Sequence, residues 1–352
     1  MLAVVDMGSN SFRLEIGRVE GDQIFRLDTF RETLRLGAGL DARGRLTAEA
    51  QRAAIACLAR FGERLRGFSR SSVRVVATNT LRIATNSAIF LPRAEKALGF
   101  PIDIITGHEE ARLIYVGVAH VLPASDEPRL VVDIGGGSTE FIIGKGLEPR
   151  ALESLKIGCV GMTQRFFADG RLDATAFAAA ETHARAEIEA IARDFSRGRW
   201  ASAYASSGTA LALAEILEQN GLSAAGITRD GLLRLKLRLV GAGHISRLSL
   251  TALKPQRTPV LAGGLAVMAA AMKELDIDRI DPVGGALRLG ALYDLLGRNV
   301  DRDIRTATVD QFQARYRIDQ EHATRVAALA VALCRRAAAA TEPGALQRLE
   351  WA

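Results

Sequence analysis

The chain opens with an apolar run, LAVVDM, which gives way to Gly, Ser and Asn and then to a second run, FRLEIGRV. Two apolar runs around a small polar tip predict a β-hairpin. TAEAQRAAIACLARFGERLRGF (Thr47 to Phe68) carries apolar residues at Ile55, Leu58, Phe61 and Leu65, a helical spacing for which Thr47 is a suitable N-cap. VRVVAT (Val73 to Thr78) predicts a strand running into the polar segment NTLR, then a short helix, the strand PIDIIT and a helix from about Glu109. PASDEP (Pro123 to Pro128) has the composition of an exposed linker. Beyond it, RLVVDIGGGSTEFIIGKG predicts another strand, turn and strand.

The second half keeps alternating. An alanine-rich helix is expected around Asp173 to Phe195, and ASAYASSGTALALAEIL predicts a strand, a Ser-Ser-Gly-Thr turn and a helix. VLAGGLAVMAAAMKEL reads as an apolar strand, a Gly-Gly turn and a helix, and DPVGGALRLGALYDLLG as a glycine turn into a last helix. Alternating strands and helices imply an α/β protein with helix-covered sheets. From about Asn299 the pattern is helical only, with Val326, Leu329, Ala330 and Leu333 on one face.

The two glycine hairpins are copies of one another. A shift of 127 residues (133 minus 6) sets Val4, Val5, Asp6, Gly8, Ser11, Ile16 and Gly17 on Val131, Val132, Asp133, Gly135, Ser138, Ile143 and Gly144 without a gap, seven identities in fourteen positions. The repeat implies two domains of one fold, 1–122 and 123–299, followed by a helical segment, 300–352. A tip of Gly, Ser and Asn lets backbone N–H groups converge on an anion. Gly8, Ser9, Asn10 and Ser11 form one such tip and Gly135, Gly136, Gly137 and Ser138 the other. Asp6 and Asp133 end strands at the same mouths, where a carboxylate beside a phosphate implies a divalent cation or an oriented water between them. Either hairpin alone is equally an ordinary turn; the pair points to phosphate.

Composition narrows the class. The 352 residues are 48% hydrophobic and 24% charged, the balance of a soluble globular protein. No apolar run approaches the roughly 18 residues of a membrane helix, and no secretory signal pattern opens the chain. Cys57, Cys159 and Cys334 are scattered, as reduced thiols of a cytoplasmic protein would be. The net charge of +6 suits a polyanion. The excess is thinly spread, however, and no nucleic-acid signature accompanies it, so neither nucleic acid nor membrane is expected as a partner. There is no P-loop, HExxH, GxSxG or Rossmann fingerprint, and His108, His120, His183, His244 and His322 lack ligand spacing.

VVDMGSNSFRLEIG and VVDIGGGSTEFIIG, with ATNTLRIATN, ITGHEEARLIYVGV, ASSGTALALAEIL and GGALRLGALYDLLG in that order, resemble the exopolyphosphatase and guanosine pentaphosphate phosphohydrolase family, nearer its exopolyphosphatase branch. The resemblance covers roughly residues 1–300. It implies two duplicated actin-like (ribonuclease H-like) domains around a cleft. The implied activity is hydrolysis of a terminal phosphoanhydride of polyphosphate or guanosine pentaphosphate, with Mg²⁺ or another divalent cation.

By its residues alone, Glu110 is as well explained as a first-turn acid favoured by the helix dipole. Its neighbour Glu109 stands three residues after Thr106 in capping-box spacing. The resemblance makes Glu110 the general base on the attacking water. It likewise makes Arg82 a phosphate-binding arginine. Glu140, two residues after Ser138 on the returning strand, shares a face with the phosphate mouth, so Asp133 and Glu140 read as metal-proximal carboxylates, with Asp6 beside them. Glu140 replaces Arg13 of the first copy, so the two hairpins differ in chemistry. Ser207, Gly208 and Thr209 form a third strand-to-helix turn suited to an anion.

The sequence departs from the family pattern at Val283, Gly284 and Leu289, where a serine-aspartate pair and a glutamate are usual. Relatives continue into a larger helical region, so the last fifty residues read as the start of a truncated helical domain, and a homodimer would depend on the missing part. Two other functions stay open: an ATP-dependent kinase or ATPase of the same superfamily, which VLAGG would serve as an adenosine loop, and a non-catalytic polyphosphate or alarmone sensor.

Overall fold

The first apolar run forms strand β1 (Leu2–Met7), and β2 (Ser11–Glu20) returns antiparallel to it, setting Asp6 opposite Arg13. β3 (Gln23–Thr33) completes a meander. After helix α1 (Ala48–Arg64), β4 (Val73–Ala77) enters parallel to β1; α2 (Asn79–Ile83), α3 (Ser87–Leu98) and the short β5 (Asp103–Ile104) follow. The sheet order is β3-β2-β1-β4-β5. Thr47 caps α1 as expected, its Oγ1 accepting from Ala50 N at 3.2 Å. The polar NTLR segment forms helix α2. The computed structural model describes residues 1–21, 23–298 and 318–337, with 313, 346 and 349 singly.

After α4 (Gly107–Ala119), the pattern recurs. β6 (Arg129–Ile134), β7 (Thr139–Lys145) and β8 (Glu148–Leu155) make a second meander, with Asp133 opposite Glu140. Then come α5 (Cys159–Phe166), α6 (Ala174–Ala192), β9 (Ser202–Ser206), α7 (Ser207–Gln219), β10 (Ile227–Thr228), α8 (Arg229–Ala242), α9 (Leu261–Glu274), β11 (Arg279–Pro282) and α10 (Leu287–Arg298). The order β10-β11-β9-β6-β7-β8 holds the first sheet's topology with one added edge strand. Even the irregularities repeat: a bulge lies between Ile16 and Gly17 and another between Ile143 and Gly144.

Each sheet has its own apolar core. Leu58, Phe61 and Phe90 from α1 and α3 cover the first; Phe177, Ile188, Leu213, Leu265 and Met268 cover the second. VLAGG is not a strand: Leu261–Gly264 open α9 instead.

α4 is buried at every position from Glu110 to Ala119, as its apolar sequence on all sides requires. It packs on β7 and β8, and Gly290 of α10 lies backbone to backbone against it. A Cβ on Gly290 would stand 1.7 Å from the Leu113 carbonyl oxygen, and one on Gly117 2.3 Å from that of Ala286. Gly290→Ala is therefore expected to destabilise by about 1–3 kcal/mol through overpacking. This would be read as a lower urea midpoint at unchanged m-value; a wild-type midpoint would refute the backbone contact.

Met1–Leu295 forms one compact unit and Leu296–Ala352 another. In the latter the described helix spans Gln320–Ala337, with Val326, Leu329 and Leu333 exposed. The remainder of the expected helical segment lies outside the described residues.

Candidate active site

Both hairpin tips are anchored from outside by their carbonyls. Ser9 O accepts from Gly37 N at 2.9 Å and Asn10 O from Arg35 N at 2.8 Å; in the second copy Gly135 O accepts from Cys159 N at 2.9 Å and Gly136 O from Val160 N at 2.8 Å. In a trans peptide the next residue's N–H points opposite to the carbonyl. The amides of Asn10, Gly136 and Gly137 are thereby turned away from these anchors, where an anion can take them. The segments supplying the anchors, Leu34–Gly37 and Gly158–Val160, carry no motif and were not anticipated.

The tips meet each other. A Cβ on Gly137 would overlap Asn79 Nδ2 at 2.0 Å, and one on Gly136 would lie 3.0 Å from Ser9 Cβ. Glycine at these places lets the second hairpin close on the first and on α2. Around the tips opens a cavity of about 390 Å³. Gly8, Ser9, Asn10, Ser11, Gly135, Gly136, Gly137, Ser138, Ser207, Gly208 and Thr209 all line it, as do Asp6, Asp133 and Glu110. Arg82 and Glu140 stand in the layer behind. Arg82 Nη1 donates to the Ile105 carbonyl at 2.7 Å and to Glu110 Oε2 at 3.4 Å. Glu140, paired in register with Asp133, accepts from Ser154 Oγ at 2.8 Å.

Four buried carboxylates, Asp6, Glu110, Asp133 and Glu140, share this site, and burial is the first cause of the raised pKa of each. Burial, then the charge of Glu140, raises Glu110 well above the usual carboxylate range, against the pull of Arg82. Burial and Asp133 raise Glu140 in turn. Asp133 is pushed up to about 6, chiefly by burial, although it accepts a hydrogen bond from Ser206 Oγ. Burial likewise raises Asp6, opposed by Arg288 and Arg13.

The cavity's other lining is cationic, and of its arginines the sequence singled out Arg13 alone. Arg13, Arg31, Arg257 and Arg288 reach it from β2, β3, the segment before α9, and α10. Burial and the neighbouring Arg288 push Arg13 down to about 10, and burial and Arg257 lower Arg31. Among the described residues Arg31 and Arg257 form no ion pair. Arg257 lies across Gly208, where a Cβ would fall 1.7 Å from its Nη2. Ser207 there holds φ 87°, a strained value for a residue with a side chain, and its Oγ accepts from Thr209 N and Ala210 N.

Arg288 alters the view of the last loop. It donates to Glu15 Oε2 at 2.9 Å and lies 3.3 Å from Asp6 Oδ2. Val283, Gly284 and Leu289 line the cavity without a polar side chain, and the charge at this end comes from Arg288 in the first turn of α10. Glu109 also departs from expectation. Thr106 Oγ1 accepts from its N–H at 3.1 Å, but its carboxylate does not turn back to the helix start; it pairs with Arg112 and Arg74.

Among the described residues no three His, Cys, Asp or Glu side chains form a ready-made metal cage. The donor set nevertheless fits Mg²⁺, which keeps several waters and takes one or two carboxylates together with substrate phosphates. Asp133 and Glu140, buried and paired across β6 and β7 with each raised above its ordinary pKa, are the pair that would hold it.

The model of the Ppx/GppA phosphatase family matches residues 16–299. An exopolyphosphatase from Cytophaga hutchinsonii is 25% identical and superposes with a TM-score of 0.75, over 84% of this chain and 98% of that one. A Ppx/GppA family member from Aquifex aeolicus is 24% identical, with a TM-score of 0.70 over 85% and 98% of the two chains. A nucleoside triphosphate hydrolase from Neospora caninum, 11% identical at a TM-score of 0.51 over 85% and 92%, shares the fold alone. The duplicated sheets are those of the actin-like fold, and with most of its length inside the family match this chain belongs to the Ppx/GppA phosphatase family.

Proposed function

We propose that this chain is an exopolyphosphatase, releasing orthophosphate from the end of inorganic polyphosphate, and that the terminal phosphate of guanosine pentaphosphate is attacked by the same chemistry. The observation that carries the reading is Glu110: a buried carboxylate at the cavity between two anion-binding hairpins, raised in pKa and held by one arginine at 3.4 Å. A raised carboxylate is a better base toward water once ionised.

The hairpins, one from each of the halves 1–122 and 123–299, grip the terminal phosphate through amides and the Ser11 and Ser138 hydroxyls. Ser207, Gly208 and Thr209 add the N-terminus of α7. Arg13, Arg31 and Arg257 face the phosphates behind it. Arg82 acts through Glu110, fixing the carboxylate. When bound at Asp133 and Glu140, with Asp6 nearby, Mg²⁺ neutralises charge on the phosphates. Glu110 takes the proton as the water oxygen forms its bond to the terminal phosphorus, and the bridging oxygen leaves with the shortened chain.

Polyphosphate of defined length, incubated with protein and Mg²⁺, should yield orthophosphate and a ladder of chains each one unit shorter. Internal cleavage, or turnover of ATP with polyphosphate untouched, would refute the reading. Arg31→Ala should raise KM for long chains by roughly tenfold at low salt, with kcat little changed and the effect fading as salt screens it. An unchanged KM would remove Arg31 from the tail site. VLAGG gives the ATP-dependent alternative little support, because its glycines lie within α9: a Cβ on Gly263 would stand 2.5 Å from the Cys159 carbonyl oxygen. Among the described residues no helix is long and apolar enough to cross a membrane.

A further inference from the structure

Glu109 and Glu110 are neighbours on α4 but face different surroundings, because successive helical residues point about 100° apart. Glu110 turns to the cavity and Glu109 to a buried ion network. Glu109 Oε1 accepts from Arg74 Nη2 at 3.1 Å and Arg112 Nη2 at 3.0 Å, and its Oε2 from Arg112 Nε at 2.7 Å. The same two arginines close on Asp294, Arg74 Nη1 on Oδ2 and Arg112 Nη2 on Oδ1, each at 2.5 Å. The side chains of Arg112 and Asp294 are 1% exposed. Charge thus ties β4 of the first sheet, the first turn of α4, and α10 at a single point.

Such a network is a poor stabiliser, since desolvating the ions offsets much of their attraction. Arg74 Nε and Arg112 Nη1 are in addition buried without a hydrogen-bond partner, a further cost. Apolar side chains of similar volume would hold these elements at least as firmly. Direction is what charges add. Two guanidinium forks on two carboxylates fix the rotation of α4 about its own axis and its depth against β4. Two turns on, the Gly117–Gly290 contact fixes α4 against α10.

We propose that Arg74, Glu109, Arg112 and Asp294 are positioning residues for Glu110, setting the rotation of α4 so that this carboxylate meets the substrate phosphate. The assignment rests on the reading of Glu110 as the base. Asp294→Asn keeps the shape and removes one charge. It should lower kcat on polyphosphate about 10- to 100-fold, as misplaced catalytic groups do, with KM within about twofold of wild type because the hairpins are untouched.

A lower melting temperature would accompany any structural defect, so Arg74→Met/Asp294→Leu discriminates. It removes one cation and one anion for apolar volume, and stability should return to the wild-type value. With positioning lost, kcat stays down, KM stays put and the acid limb of the kcat–pH profile is displaced. Recovery of kcat together with stability overturns the proposal. If the double variant does not fold, Glu109→Gln serves, its side chain being 26% exposed. Wild-type kcat and pH profile in that variant overturn the proposal equally; a lower kcat at near-normal stability supports it. Glu110→Ala in parallel separates the failures: an active protein removes the base assignment itself. An inactive one, beside fully active network variants, removes only the positioning role.

Discussion

Glu110→Gln is expected to bind polyphosphate with near-normal affinity and to release phosphate about 10² to 10⁴ times more slowly than the wild type, the range spanned by removal of a general base. The substitution keeps the volume and one acceptor oxygen beside Arg82, so the fold should survive. It also removes one of four crowded carboxylates, so the metal-free variant should melt no lower than the wild type at neutral pH. In the wild type, the same crowding sets the pH dependence. Glu110 is raised by burial and by Glu140, and a base must be ionised to accept a proton, so kcat/KM should climb with pH through its elevated pKa and level off above it. The variant should lose that acid limb. Retention of more than about a tenth of the wild-type rate would sink the assignment.

The duplication was legible because it depends on local rules. An aspartate ending a buried strand, a glycine tip and a returning strand are written within fourteen consecutive residues, twice, and the two sheets repeat accordingly. Glu110 was legible only through the motif around it, since a first-turn glutamate is ordinary. Apart from Arg13, singled out by its contrast with Glu140, the arginine lining was not legible. Arg13, Arg31, Arg257 and Arg288 are spread over 275 positions (288 minus 13), among forty arginines, and only the folded sheets bring them to one mouth. Strands β3 and β8 escaped for another reason: each is the outer strand of its meander, β3 mostly exposed and β8 only partly buried with Glu148, Arg150 and Glu153 along it, so hydrophobic alternation is weak there. VLAGG misled because two glycines in an apolar run suggest a turn, whereas here they let α9 approach α5 and α7 closely. The reading of Glu109 failed at the same level: capping spacing predicts a local partner, and a cation on β4 and one on α4 itself compete successfully for its carboxylate.

Asp133→Asn is expected to make the metal-free protein more stable at pH 8 while abolishing most of its activity. Asp133 is held at about 6 in the fold, against an ordinary value of 3.8, because burial and the charge of Asp6 disfavour its ionised form. The native state therefore holds a proton that the unfolded chain releases. The stability this contributes is complete below about pH 4 and is lost as pH rises through about 6. At 1.36 kcal/mol per pKa unit, the loss is on the order of 3 kcal/mol by pH 8. Glu140, also raised, extends the decline to higher pH. An asparagine at 133 cannot ionise and should recover a large part of this loss, seen as a higher melting temperature at pH 8 and little difference at pH 4. Mg²⁺ should raise the melting temperature of the wild type at pH 8, by relieving the repulsion between Asp133 and Glu140, and should leave that of the variant nearly unmoved. The two measurements together distinguish a metal-binding pair from a merely strained one. A variant that melts lower than the wild type at pH 8 would show that Asp133 stabilises the fold through Ser206. A Mg²⁺ response equal in both proteins would place the cation elsewhere. The expected pattern, a site that weakens the protein until its ion arrives, is what buried carboxylates without a cage of their own impose.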